Sequence, residues 1–243
     1  MNYVIIIAGG VGSRLGAPVP KQFVKVLGKP IIVYTMEHFQ NHPDIDAIVL
    51  VCVAGYLDYL KETTEKYGIS KVVKIVGGGA EYERSIMNGI TGLEGMAKFD
   101  DIVMIHWAAS PFLTEEIITD NIRVCKEKGN AITASYSYLL YGSNDGDCAQ
   151  TAINRDSFMT LSTPQSFRYS AIVDLYKQVE EKKLFEKLIE HHTNVFMAEL
   201  GIPLYFSKGS HANIKITTKE DIDLFLGYQL AKKYKTEYPE YCF

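Results

Sequence analysis

Residues Val4-Ile-Ile-Ile-Ala8 run directly into Gly9-Gly10-Val11-Gly12-Ser13-Arg14. A short run of Val and Ile without clean alternation reads as a strand covered on both faces, as in a buried parallel sheet. The glycine-rich turn follows at the carboxyl end of that strand, where open α/β sheets bind ligands. Absent side chains let backbone N–H groups approach a phosphate, and Arg14 adds a positive fork. The glycines alone fit a tight strand-to-helix connection equally well.

Working outward, Ile48–Val53, Val72–Val76, Ile102–Ile105 and Ala131–Ala134 repeat the apolar pattern and predict further strands. Helical spacing in Ile31–Gln40, Tyr56–Tyr67, Ser85–Met96 and Thr114–Lys128 places helices between them. The alternating order implies a parallel sheet wrapped by helices. After Ala134 the pattern breaks. Tyr136–Tyr141 and Cys148–Asn154 read as two strands around the polar turn 142–147, too small for a domain and suited to a projecting arm. A helix is expected over Ser170–Lys183. In the last helix Thr218-Lys-Glu-Asp221 resembles a capping box, and Ile222, Phe225, Leu226 and Leu230 mark its apolar face. The expectation is one α/β domain over residues 1–243, with an arm at about 135–160.

Composition narrows the function. The 243 residues are 47% apolar and 22% charged, a globular balance. A formal charge of -4, from 25 Lys+Arg against 29 Asp+Glu, lacks the basic surplus nucleic-acid binding demands. The longest apolar run, Ala47–Ala54, is too short to span a membrane. The N-terminus has no cationic leader or cleavage site, so no signal peptide is expected. Cys52, Cys125, Cys148 and Cys242 form no C-x-x-C pair, which points away from zinc and disulfides and toward a reducing cytoplasm. Adjacent histidines diverge on a helix, so His191-His192 is not read as a metal pair.

Two familiar glycine motifs fail. Gly10-x-Gly12 is followed by Gly16, one residue late for a dinucleotide fingerprint, and Gly28-Lys29 is followed by Pro30, so there is no P-loop. The continuation is more specific. Ala8-Gly-Gly-x-Gly-x-Arg-Leu15, Pro20-Lys-Gln-Phe23 and Leu27-x-Lys29-Pro-Ile31 resemble the opening of sugar nucleotidyltransferases. In particular they resemble the cytidylyltransferases that make CDP-methylerythritol or CDP-ribitol. Gly78-Gly79 with Ser85-Ile-x-Asn88-Gly89 resembles that family's cytidine loop. Ile105-His106 with Pro111-Phe112, Arg155 with Thr163-Pro-Gln-x-Phe-Arg168, and Asn213-Ile-Lys-Ile-Thr-Thr218 with Glu220-Asp221 follow in the family's order.

The resemblance implies a Rossmann-like three-layer αβα nucleotidyltransferase fold with a mostly parallel sheet. It implies transfer of CMP from CTP to a phosphorylated sugar alcohol, of the 2-C-methyl-D-erythritol 4-phosphate or ribitol 5-phosphate type. Arg14 and Lys21 would face the triphosphate, while Lys215 and Arg155 would hold the acceptor phosphate. Ala8, Gly9, Gly10, Gly12 and Gly79, with Ser85, would hold the nucleotide, and Thr163 would lie near the acceptor. Mg²⁺ would be bound mainly through the CTP phosphates. Arg155 would reach a neighbouring subunit's site, implying a homodimer.

Chemistry agrees with a site built from cations. A phosphate monoester has its second pKa at about 6, so the attacking oxygen is already largely ionised at neutral pH. No strong base is needed; two polyanions must be held in line.

Departures cluster in the site. Trp107 and Ser110 stand where the family has Asp and Arg, and Tyr82 stands where Arg is common, with Arg84 close by. The arm has Tyr and Leu for its usual threonine, and Thr193-Asn194-Val195 loses an acidic position. One reading keeps the transfer machinery and rebuilds the pocket for another acceptor. The other makes the chain a catalytically silent CTP-binding relative.

Overall fold

The computed structural model describes residues 1–10, 12 and 15–239; Arg14 and Cys242 lie outside the described residues. The chain opens with β1 (Asn2–Ala8), then a 3-10 turn at Lys21–Phe23 and a small antiparallel pair, β2 (Lys25–Val26) and β3 (Lys29–Pro30). Next come α1 (Ile31–Asn41), β4 (Ala47–Cys52), α2 (Leu57–Lys66), β5 (Val72–Gly77) and α3 (Tyr82–Thr91). The middle holds β6 (Ile102–Trp107), α4 (Glu115–Lys128) and β7 (Asn130–Tyr136). An excursion pairs β8 (Tyr141–Gly142) with β9 (Ala152–Ile153). The chain returns through β10 (Met159–Arg168), α5 (Tyr169–Glu181), α6 (Leu184–Lys187), α7 (Thr193–Glu199), β11 (Phe206–Lys208) and α8 (Lys219–Glu237).

The main sheet has the order β11-β7-β10-β6-β1-β4-β5. β1 runs parallel to β4 and β6, β5 parallel to β4, and β11 parallel to β7; β10 alone is antiparallel to its neighbours. Alternation is present but hidden by apolarity on both faces. Val4, Ile6 and Ala8 join the cluster with α1, α2 and α4, whereas Tyr3, Ile5 and Ile7 join the cluster with α3, α5 and α7. Each fully buried aliphatic side chain contributes about 1.5–3 kcal/mol, so β1 fixes the position of everything that leaves its carboxyl end. Gly89 lets α3 lie close on that sheet: a Cβ there would stand 2.5 Å from Ile5 Cγ2.

The parallel-rich sheet and flanking helices match the expected class. Three details differ. α3 begins at Tyr82 rather than Ser85, because backbone after Gly79 turns directly into helix. The arm's strands shrink to two residues each, since Tyr138, Leu139 and Leu140 stay exposed instead of pairing. The capping box at Thr218 forms, with Thr218 Oγ1 accepting from the Asp221 N–H and Asp221 accepting from the Thr218 N–H. Of that helix's expected face, Phe225 is buried and Leu230 is exposed. Among the described residues, no helix is long and apolar enough to cross a membrane.

Candidate functional site

β1 delivers Ala8, Gly9 and Gly10 to the edge of the sheet, and a buried amide holds them there. Gln22 Nε2 donates to Ala8 O at 2.8 Å and to Gly10 O at 2.9 Å, pinning the turn at Lys21–Phe23 beneath the glycine loop. Gly12 has φ +73°, a left-handed conformation that glycine adopts without cost, and a Cβ there would stand 2.9 Å from Lys21 Cγ. Lys21 is thereby folded against the loop. Its Nζ donates to Ile216 O at 2.7 Å, and Ile216 N–H donates to Ala109 O at 2.8 Å. Two bonds thus dock the C-terminal segment beside the glycine loop.

That docking sets Lys215 next to Lys21's anchor. The Lys215 Nζ stands 4.2 Å from the Trp107 ring centroid and 5.7 Å from that of Tyr82. Trp107 comes from the carboxyl end of β6, and its Nε1–H donates to Tyr82 Oη at 2.7 Å. Tyr82 packs edge-on against His192, with centroids 5.6 Å apart. Burial holds the Tyr82 phenol protonated well above its ordinary range. Together these side chains form a wall shared by two cavities. One, of 330 Å³, is lined by Gly10, Gly12, Lys21, Gln22, Ala108 and Thr217; the other, of 270 Å³, by Leu161, Gln165, Thr193 and Asn194. Lys215 borders both, and Lys21 borders the first. Two roomier hollows, of 690 and 640 Å³, lie along α2 and β5 and between α1 and α8, touching neither lysine.

The second glycine loop is organised from below. Gly78 N–H donates to Cys52 O at 2.7 Å, Asn88 donates to Gly77 O at 2.9 Å, and Ser85 Oγ accepts from Gly79 N–H at 3.0 Å while donating to Glu81 O. Ser85 therefore shapes the loop with its hydroxyl committed to backbone on both sides. Ala8 ends β1, Gly9, Gly10 and Gly12 follow it, and Gly79 and Ser85 lie just before and within α3; of these six, Gly10 and Gly12 line the 330 Å³ cavity with Lys21, Lys215 and Trp107.

Other expected positions fall elsewhere. Ser110 lies behind the pocket wall: it is fully buried, its hydroxyl has no partner among the described residues, and its carbonyl accepts from His106 Nε2. Thr163 is fully buried, its hydroxyl has no hydrogen-bond partner among the described residues, and it lines neither cavity. Arg155 sits on the arm, donating to Tyr138 O at 3.1 Å, away from both cavity linings of this chain. Sequence reasoning did not single out Gln22 and His192 as site residues. A buried amide that staples a loop carries no periodic signal, and Gln22 was visible only inside the Pro-Lys-Gln-Phe string.

Two buried ionisable groups respond oppositely to pH. His106 Nε2 meets a carbonyl, so it carries the proton, and burial drops the imidazole to about 3. Its folded pKa is below the unfolded value of about 6.5, so its contribution to stability is lost as pH falls below 6.5. Burial raises Glu83 to about 7, so its contribution is lost as pH rises through that value. Comparison with His106→Gln isolates the first effect. Between pH 7 and pH 5 the wild type is expected to lose about 2 kcal/mol relative to the variant. Urea denaturation of both proteins measures this, and a constant difference would contradict a neutral buried imidazole.

The donor set also tests for a metal. Among the described lining residues of the two cavities there is no carboxylate. Their lysines, amides, threonine hydroxyls, aromatic rings and one imidazole bring no negative charge to a Mg²⁺ ion.

Glycine loops at the carboxyl edge of a parallel-rich sheet, facing lysines brought from opposite ends of the chain, define a class: an α/β nucleotidyltransferase. The model of the IspD family, 2-C-methyl-D-erythritol 4-phosphate cytidylyltransferase, matches residues 2–227. The chain belongs to that family. It is 38% identical over 234 residues to a ribitol-5-phosphate cytidylyltransferase of Lacticaseibacillus paracasei, covering 96% of this chain and 100% of that protein. It is also 38% identical over 233 residues to a 2-C-methyl-D-erythritol 4-phosphate cytidylyltransferase of Clostridium botulinum, covering 96% and 98%. Among solved structures, 4-diphosphocytidyl-2C-methyl-D-erythritol synthase from Anaerococcus prevotii superposes with a TM-score of 0.79 at 27% identity, over 95% of this chain and 96% of that one.

Proposed function

We propose that this protein transfers CMP from CTP to a phosphorylated sugar alcohol, releasing pyrophosphate and forming a CDP-alcohol. The observation that carries the reading is the placement of Lys21 and Lys215 on one 330 Å³ cavity, with Lys215 also bordering its neighbour. The triphosphate lies along the glycine loop in the first cavity. The acceptor occupies the second, where Gln165, Thr193 and Asn194 offer hydrogen bonds to its hydroxyls. An acceptor phosphate oxygen attacks the α-phosphorus, the bond to the α–β bridging oxygen breaks, and pyrophosphate leaves. Lys215, at the junction, offsets repulsion between the acceptor phosphate and the α-phosphate. Lys21 stabilises charge on the departing side. Any Mg²⁺ would come with CTP, and its chemistry would be to offset charge on the triphosphate oxygens.

Trp107 takes the place of a carboxylate and presents a π face to Lys215, holding its ammonium without neutralising it. Tyr82 fixes the plane of that ring. The chain has one tryptophan, so its emission reports the cleft. Adding Mg·CTP is expected to change that emission saturably; an unchanged spectrum at saturating nucleotide would place the nucleotide elsewhere.

The arm supports a homodimer: Tyr138, Leu139 and Leu140 are exposed beside Arg155, an apolar edge suited to a second copy carrying Arg155 to its neighbour's acceptor. Light scattering measures the assembly.

Pyrophosphate release, measured with each of the four ribonucleoside triphosphates against ribitol 5-phosphate and 2-C-methyl-D-erythritol 4-phosphate, tests the function. Turnover is expected with CTP and one or both acceptors. The cavities' lack of a described carboxylate favours a second reading, a silent CTP-binding relative. Saturable CTP binding with no release from any pair would establish it in place of the first.

A further inference from the structure

Glu81 and Glu83 stand at the start of α3, and His191 lies just ahead of α7. One carboxylate oxygen from each glutamate and one ring nitrogen of His191 lie within 4.8 Å of one another. A further observation at Glu83 points to a cation. Glu83 is 2% exposed, yet its Oε1 has no hydrogen-bond partner among the described residues; the His192 Nδ1 facing it is 3.6 Å away. A buried carboxylate oxygen is costly without a donor or cation. His191 Nε2 meets Leu188 O at 2.8 Å. A carbonyl only accepts, so Nε2 carries a proton, and Nδ1 is the ring nitrogen turned toward the glutamates. That nitrogen lies 3.5 Å from Glu81 Oε2.

We propose that Glu81, Glu83 and His191 form a divalent-cation site suited to zinc. One imidazole nitrogen and two carboxylate oxygens match zinc's preference for mixed N/O ligands, with water completing four-coordination. A backbone carbonyl on the far ring nitrogen is how a ligating histidine is oriented. Phe185 and Phe196 hold the ring in place, with centroids 5.5 and 6.3 Å away. Zinc–ligand distances of about 2.0–2.2 Å require the donors to draw together, and the movement falls on the exposed Glu81 side chain. Tyr82 lies between the two glutamate ligands in sequence and His192 follows the histidine ligand, so a bound ion joins both sides of the cavity wall. The site is distinct from Mg·CTP, which sits against residues that include no ligand named here. Ion binding does not depend on the proposed transfer reaction; only its effect on the wall does.

Chelator-treated, dialysed protein is titrated with ZnCl2 by calorimetry in the absence of nucleotide, with MgCl2 in parallel and thermal unfolding alongside. One zinc per chain is expected, with a raised Tm and no saturable magnesium binding. Affinity is expected to fall at least ~10-fold in E81Q, E83Q and H191F and to persist in H192N. Phenylalanine preserves the packing of His191, and Glu81 is exposed, so two variants keep the test sound if E83Q fails to fold. No saturable zinc binding, equal binding in E81Q and H191F, or loss confined to H192N would overturn the site. A negative titration beside normal turnover would leave the transfer reading standing, since no nucleotide is present.

Discussion

Lys215→Ala is expected to lower kcat/KM by at least ~100-fold, the loss that follows removal of a transition-state donor. The fall should appear in kcat for both substrates and in KM for the polyol phosphate, because Lys215 borders both cavities. Steady-state kinetics with each substrate varied in turn measure this. The ammonium rests on the Trp107 ring at 4.2 Å, a contact worth about 0.5–2 kcal/mol, so emission of the single tryptophan should shift while the unfolding transition stays cooperative. Lys215→Arg, which keeps charge and can stack on the indole, should recover part of the rate. Full activity in the alanine variant would remove Lys215 from the reaction.

Lys21→Ala is expected to lose at least ~100-fold in kcat/KM for CTP, with KM for the acceptor unchanged. Lys21 borders only the cavity beside the glycine loop. An ammonium has three donors in fixed tetrahedral directions, and the bond to Ile216 O at 2.7 Å sets where the nitrogen sits. Losing that charged hydrogen bond costs about 1.5–3 kcal/mol of stability, because it also ties the C-terminal segment to the loop. Kinetics therefore belong with a denaturation curve for the same variant. A KM change confined to the acceptor would reverse the roles given to the two lysines.

The fold was legible where apolar side chains mark position. β1, β4 and β6 read plainly because both their faces are buried in the two apolar clusters. β10 did not. Its run Met159–Arg168 is mostly polar, yet it fills the gap between β6 and β7. There it is satisfied by hydrogen bonds rather than by oil-like contacts. Asn121 Nδ2 donates to Pro164 O at 3.0 Å and to Ser207 Oγ at 2.7 Å, and Thr133 Oγ1 donates to Pro164 O at 2.6 Å. A strand buried through a polar network leaves no periodicity to read.

The site divides in the same way. Lys21 and Lys215 were legible as candidates because their neighbouring residues form recognisable strings, and both border one cavity. The partnership of Trp107 with Tyr82 was not legible, since a single bond between residues far apart in sequence leaves no spacing signal. Nor was the Glu81–Glu83–His191 cluster, for which two loops must first be brought together. Ser110 and Thr163 were placed by position in matching strings; both are buried and line neither cavity.

The central claim is spatial, so a crystal structure with Mg²⁺ and a CTP analogue carrying a methylene at the α–β bridge tests it most directly. Phosphates are expected along Gly10 and Gly12, with Lys21 against the triphosphate and Lys215 between the α-phosphate and the cavity of Gln165 and Asn194. Nucleotide seated instead in the hollow beside α2 and β5, or with both lysines turned away from its phosphates, would contradict it.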